Sequence, residues 1–242
     1  CVMHCIANNW AGVENLSLIP GCVGAAPMQN IGAYGVEIKD TFYALEAVDI
    51  ATGDIVTFNN SDCKFGYRES IFKHEAKGKY IISSVTFKLN KQPKFNVTYG
   101  AIQQVLTEKG ITQLSIKAIS DAVIEIRSSK LPNPTILGNA GSFFKNPEIT
   151  NEQFTELKSQ FTDMVGYPVG RTHTKLAAGW LIEQCGWKGK QVGNTGSHKD
   201  QALVLVNYGN ATGNEVYQLA MRIQQSVKEK FNVTIQPEVN VI

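Results

Sequence analysis

Three side chains in this 242-residue sequence have types and neighbours suited to moving charge and protons. Ser142, in GNAGSFFKNP, follows Gly141 and precedes Phe143 and Phe144. A small neighbour leaves the hydroxyl accessible and two rings exclude water, so this serine suits a nucleophile or a proton donor. The plainer alternative is a loop serine bonded to its own backbone. No G-x-S-x-G elbow is present and no Ser-His-acid set assembles, which argues against a hydrolase. Arg68, in FGYRESIFK, presents a planar fork matched to a carboxylate; its plainer alternative is a surface ion pair with Glu69 or Glu75. Glu238, in QPEV, follows Pro237, which fixes the backbone ahead of it; an edge-strand charge is the alternative there.

The most unusual stretch is IPGCVGAAPMQNIGAYG, Ile19 to Gly35. Its glycines, Gly21, Gly24, Gly32 and Gly35, let the backbone bend sharply and approach a ligand, and Gln29 and Asn30 add side-chain donors. Backbone amides in such a loop can cradle a pyrophosphate or face a flavin ring. It is neither the dinucleotide fingerprint G-x-G-x-x-G nor a P-loop, and a run of tight turns is the competing reading.

These residues need a scaffold, and the periodicities predict one. Tyr43–Phe58 reads as a hairpin about Thr52-Gly53, and Tyr80–Leu89 as a further strand. Cys63–Glu75 reads as a loop or short helix. From Tyr99 to Lys130 the chain is helical in character, with Gly110 as a stop and Ser120 as an N-cap. Leu131–Gly141, with two prolines and two glycines, suggests a domain boundary or site loop. Lys175–Trp187 is a helix candidate with Gly186 near its end, and Ala202–Asn207 a buried strand. Asn214–Phe231 carries Val216, Leu219, Ala220, Ile223, Val227 and Phe231 at helical spacing. Asn232–Ile242 returns as a strand broken by Pro237. Hairpins first and helices later predict an α+β class.

Composition narrows the function. A net charge of +2 gives no footprint for nucleic acid or an anionic membrane. Hydrophobic content of 43% with 18% charged residues describes an ordinary folded chain. No apolar run approaches a membrane span, and no signal peptide is visible. Cys1, Cys5, Cys22, Cys63 and Cys185 form no CxxC, and the four histidines lack ligand spacing, so neither a disulfide framework nor a metal is expected. A reducing, cytoplasmic setting follows.

The run Glu14–Glu37, then FGYRESIFK, KLPNPTILGNAGSFFKNP, KLAAGWLIEQCG and FNVTIQPEV, in that order, resembles the family of UDP-N-acetylenolpyruvoylglucosamine reductases. The likeness spans nearly the whole chain. It implies the remnant of a two-lobed FAD-binding, vanillyl-alcohol-oxidase-like domain plus a C-terminal α+β substrate-binding domain. The implied division is 1–131 for the second lobe, 132–232 for the substrate domain and 233–242 for a return segment carrying Glu238. The family's N-terminal flavin-binding lobe has no match here. By resemblance Arg68 polarises the enolpyruvyl carboxylate, Ser142 donates the proton, and Glu238 stands near the same carboxylate. FAD contacts map to Ile19, Pro20, Gly21, Gly24, Ala25, Met28, Gln29, Asn30, Gly32, Ala33, Tyr34, Ile82 and Arg127. Substrate contacts map to Tyr99, Lys130, Asn146, Tyr167, Lys188 and Gln201. Ala25 and Ala26 replace serines common in relatives, which leaves the backbone donors.

The resemblance implies NADPH-driven, FAD-dependent reduction of a UDP-sugar, with NADPH and the sugar using one pocket in turn. Without it, Lys130 and Lys188 read as solvated surface lysines, and Tyr99 and Tyr167 as half-buried packing residues. Two other classes compete. A nucleotide-sugar-binding module would bind the UDP-sugar with no flavin. An unrelated flavin oxidase would keep the glycine-rich loop without needing Asn146, Lys188 and Gln201.

Overall fold

The computed structural model describes residues 1–241. The fold is α+β and divides into two compact units, Cys1–Ser129 and Lys130–Ile242.

In the first unit, helix α1 (Val2–Ala7) precedes two short strands, β1 (Gly32–Ala33) and β2 (Val36–Glu37). An antiparallel sheet follows, built from β3 (Phe42–Asp49), β4 (Ile55–Asn59) and β5 (Tyr80–Phe87) in the order β4-β3-β5. The expected hairpin forms because Asp49 accepts the Ala51 amide at 2.8 Å and Gly53 takes φ +78° to close the turn. Two register shifts along β3 re-aim its side chains, so that Phe42, Leu45 and Ala47 all face the core. That core also takes Leu16, Ile38, Ile71 and Phe72. Burial pushes the Cys63 thiol up to about 12, which keeps it protonated, and all five cysteines are free.

Helices α2 (Ile102–Glu108) and α3 (Ile116–Lys130) form a second cluster around Ile102, Leu106, Ile119, Val123 and Ile126. Gly110 ends α2 as expected. Its amide reaches the Thr107 carbonyl at 2.9 Å and the Ile111 amide reaches Leu106 at 3.0 Å, a Schellman ending. Ser120 is not a cap. The helix starts a turn earlier, where the Ser115 hydroxyl accepts the Ala118 amide at 3.1 Å. Ser120 is instead buried, its hydroxyl 2.8 Å from that of Ser17.

The second unit holds β6 (Gly138–Ser142), β7 (Glu148–Thr150), α4 (Asn151–Gln160), β8 (Gly166–Val169), β9 (His173–Leu176), α5 (Ala178–Gln184), β10 (Gln191–Val192), β11 (Thr195–Ser197), β12 (Val204–Asn207) and α6 (Gly213–Phe231). Its sheets run β10-β11-β12-β6 and β7-β9-β8. Strand β12 is the buried strand expected within Ala202–Asn207. Helix α5 is shorter than the sequence suggests, because Lys175 and Leu176 pair into β9 instead. Helix α6 lays Leu219, Ala220, Ile223, Val227 and Phe231 into the core, as its spacing predicts. After α6 the expected strand is only an isolated bridge between Pro237 and Phe144, since proline lacks the N–H a ladder needs. No helix among the described residues is long and apolar enough to cross a membrane.

The start of α6 is a capping box. The Thr212 hydroxyl accepts the Glu215 amide at 3.2 Å, while the Glu215 carboxylate accepts the Thr212 amide at 2.8 Å. The Thr212 amide, and then the Thr212 hydroxyl, which donates to the same carboxylate oxygen at 2.9 Å, hold the Glu215 carboxyl below the usual carboxylate range. A depressed carboxyl stabilises the fold above its unfolded value and loses that contribution as pH falls through the folded one. Thr212→Ala is expected to cost about 1 kcal/mol in urea unfolding at neutral pH. The cost should shrink in acid; one that grew there would contradict the capping box.

Candidate functional site

In the first unit, the glycine-rich stretch folds as a 3-10 turn series over Val23–Gln29, followed by the β1–β2 hairpin. Tyr34 and Gly35 close that hairpin with φ +50° and +77°, the two left-handed residues of a type I′ turn. Gly35 is required there twice over, because a side chain would also meet Asn96 at 2.9 Å. Asn15 fixes the turn, donating to the Tyr34 and Asn96 carbonyls at 2.9 Å each. Pro20, Gly21 and Ala25 are exposed, and open space surrounds Gly21. Ile19, Gly24, Met28, Gln29, Gly32 and Ala33 are half-buried; a Cβ on Gly24 would lie 3.3 Å from the Ile82 carbonyl.

Arg68 reaches this loop. Its Nη2 donates to the Gly32 carbonyl at 2.7 Å. A Cβ on Gly32 would stand 3.1 Å from Arg68 Nη1 and 2.8 Å from the Val36 carbonyl, so only glycine leaves the guanidinium its place. Asn30, expected among the flavin contacts, turns its side chain inward instead. It is fully buried, donates to Glu37 and Gly66 at 3.1 and 2.9 Å, and accepts the Lys39 amide at 3.1 Å.

Tyr34, Tyr99 and Arg127 form a second cluster in this unit. The two phenol rings meet edge to face at 6.5 Å. Burial raises the Tyr34 hydroxyl above its ordinary value, opposed by the Arg127 charge. Burial likewise lowers the Arg127 guanidinium, whose Nε is buried with no hydrogen-bond partner among the described residues. An orphaned cationic donor of this kind calls for an acceptor. A ligand with acceptor atoms at its edge, as a flavin has, would supply one.

In the second unit, Ser142 ends β6 after Gly141, which takes φ +75°. On one side Ser142 pairs with Val204, and the Phe143 amide donates to the Leu203 carbonyl at 2.8 Å. On the other, the Glu238 amide donates to the Phe143 carbonyl at 2.7 Å, and the Lys145 amide to the Gln236 carbonyl at 2.8 Å. Ser142 and Glu238 are 96 residues apart in number yet lie on neighbouring segments, both half-buried. Arg68 belongs to the other unit.

The same run continues to Asn146, whose carboxamide oxygen accepts the Ala178 amide at 3.0 Å. Gln201 comes to the same end of α5: a Cβ on Gly179 would lie 3.1 Å from its side-chain oxygen. Lys188 pairs with Glu183 at 2.9 Å, at the opposite end of that helix. Tyr167 is exposed on β8, across from Lys175 on β9. Lys130 is exposed where α3 ends.

Sequence reasoning missed Asn15, Asn96 and Ser70, which hold the loop and the Arg68 turn. Their partners lie 19 to 81 residues away, so no local pattern announces them.

Residues 133–242 match the UDP-N-acetylenolpyruvoylglucosamine reductase C-terminal domain, and residues 2–59 match an FAD binding domain. The chain is 56% identical over 241 residues to a UDP-N-acetylenolpyruvoylglucosamine reductase of Amoebophilus asiaticus, covering 100% of the chain and 71% of that relative. It is 53% identical over 242 residues to a protein of the same name from Flavobacterium johnsoniae, covering 100% of the chain and 72% of the relative. It also resembles the crystal structure of UDP-N-acetylenolpyruvylglucosamine reductase from Thermus caldophilus, with a TM-score of 0.66 at 24% identity, over 99% of this chain and 67% of that one. The last likeness speaks to the fold alone.

Proposed function

The chain belongs to the UDP-N-acetylenolpyruvoylglucosamine reductase family, and on that premise we propose that it catalyses reduction of UDP-N-acetylglucosamine enolpyruvate to UDP-N-acetylmuramate, with FAD as cofactor and NADPH as reductant. This is a step of peptidoglycan precursor synthesis in the cytoplasm, and so serves cell shape and division. The observation that carries the reading is the backbone bonding that sets Ser142 beside the Glu238 segment.

Reducing a vinyl ether adds hydride to one carbon and a proton to the next, and the bound flavin supplies the hydride, which side chains cannot. Arg68 takes the substrate carboxylate with its fork and stabilises the negative charge that accumulates there. Ser142 delivers the proton. Glu238 works in a neutral or fully hydrogen-bonded form, since a bare carboxylate would oppose that charge. Ile19, Pro20, Gly21, Gly24, Ala25, Met28, Gln29, Gly32, Ala33 and Tyr34, with Ile82 and Arg127, would hold the cofactor, and Asn30 would do so through its backbone.

The UDP-sugar falls to Tyr99, Lys130, Asn146, Tyr167, Lys188 and Gln201. Because the Asn146 oxygen faces the α5 backbone, its amide hydrogens are turned toward solvent or ligand, suited to phosphate oxygens. The domain reading follows: 1–131 for the flavin, 132–232 for the sugar nucleotide, and 233–242 for Glu238.

Incubated with FAD and freed of excess, the chain is expected to stay yellow, bleach anaerobically with NADPH, and regain its colour on adding the enolpyruvyl sugar. Calorimetric binding of the UDP-sugar by a chain that never retains flavin would replace this reading with the binding module.

A further inference from the structure

The turn carrying Arg68 is held at three points by the glycine-rich loop. Arg68 itself has φ +55°, a left-handed conformation that a long L side chain seldom adopts and that persists only where its surroundings impose it. Gly66 and Glu69 exchange backbone bonds at 3.0 and 3.2 Å to close the turn. Outside the turn, three alternating loop residues grip it. The Met28 carbonyl accepts the Ser70 hydroxyl at 2.7 Å, the Asn30 amide donates to the Gly66 carbonyl at 2.9 Å, and the Gly32 carbonyl accepts Arg68 Nη2 at 2.7 Å. The Lys73 ammonium adds a bond to the Arg68 carbonyl at 3.3 Å. Both Asn30 and Ser70 are themselves buried, so losing either bond leaves a poorly hydrated polar group behind.

We propose that Asn30 and Ser70 are positioning residues that hold the Arg68 turn against the glycine-rich loop, and so set the direction in which the guanidinium is offered to the substrate carboxylate. The proposal rests on the reading of Arg68 as the carboxylate-binding group. Neither residue touches the substrate; both act through Arg68. Removing either takes away one of the three loop contacts that supplement the turn's own bonds in holding this left-handed residue.

Asn30→Gly deletes the amide yet keeps a residue at ease with the φ of +45° found there, and Ser70→Ala deletes the hydroxyl. In both chains, hydrogen exchange at the Gly66 and Glu69 amides is expected to accelerate about tenfold while β3 and β5 exchange as before. In both flavin-loaded chains, KM for the enolpyruvyl sugar is expected to rise about tenfold; in Ser70→Ala, FAD affinity and flavin reduction by NADPH stay unchanged, and Ser70→Thr keeps the parent KM. Unaltered exchange at Gly66 and Glu69 overturns the proposal. So does a loss of FAD affinity in Ser70→Ala that keeps step with KM, which would make the turn a support of the cofactor loop rather than of Arg68. An Arg68→Lys chain with unchanged KM would overturn the reading of Arg68 instead. The exchange data need no substrate and separate the two failures.

Discussion

Flavin-loaded Ser142→Ala is expected to accept electrons from NADPH at the normal rate and to pass them to the enolpyruvyl sugar about 10²- to 10⁴-fold more slowly. The serine has one task in the proposed reaction, and it falls in the second half. The first half moves a hydride from NADPH and asks nothing of a hydroxyl. Position supports that division. Ser142 is half-buried at the end of β6, braced by Val204 on one side and by the segment of Glu238 on the other. The left-handed Gly141 before it leaves no Cβ beside the hydroxyl. Anaerobic stopped-flow absorbance of the flavin resolves the two halves. Near-normal reoxidation by the enolpyruvyl sugar would remove Ser142 from the proton-donor role, and a loss of both halves together would make it a general support of the site.

Phe231→Ala is expected to destabilise the second unit by about 3–5 kcal/mol, measured by urea unfolding followed through Trp180. Phe231 is 1% exposed and lies against Phe161 at 4.8 Å and Trp180 at 5.8 Å, so its removal opens a cavity among rings that cannot collapse into it. The loss should reach Glu238. Val233 and Ile235 enter the core directly after α6, and Gln224 on that helix donates to the Ile235 carbonyl at 2.6 Å. Faster exchange at the Glu238 amide, which is bonded to Phe143, would accompany the global effect. A change below about 1 kcal/mol would mean the ring cluster repacks, and that the Glu238 segment has another anchor.

Elements with a strong local period were legible. The apolar stripe of α6, the hairpin about Gly53 and the glycine ending of α2 each depend on residues within one or two turns of one another, and each formed as the sequence predicts. Errors arose where two local readings compete. Ser120 looks like a cap because serine favours caps, yet Ser115 lies one turn earlier and Ser120 has a buried partner in Ser17, 103 residues away. The last segment looks like a strand by its alternation, but Pro237 interrupts the donors and only a bridge remains.

The amino-acid order alone thus settled the class of fold, its most strongly periodic elements and, through a string of long uncommon motifs, the family. Those properties reside in neighbours along the chain, where propensity, spacing and motif can be read directly. Folding decided which polar groups meet. Asn30 faces the Arg68 turn rather than open space, Ser142 lies beside the Glu238 segment, and the Arg127 Nε is buried without a hydrogen-bond partner among the described residues, because hydrogen bonds between distant segments depend on how whole elements pack.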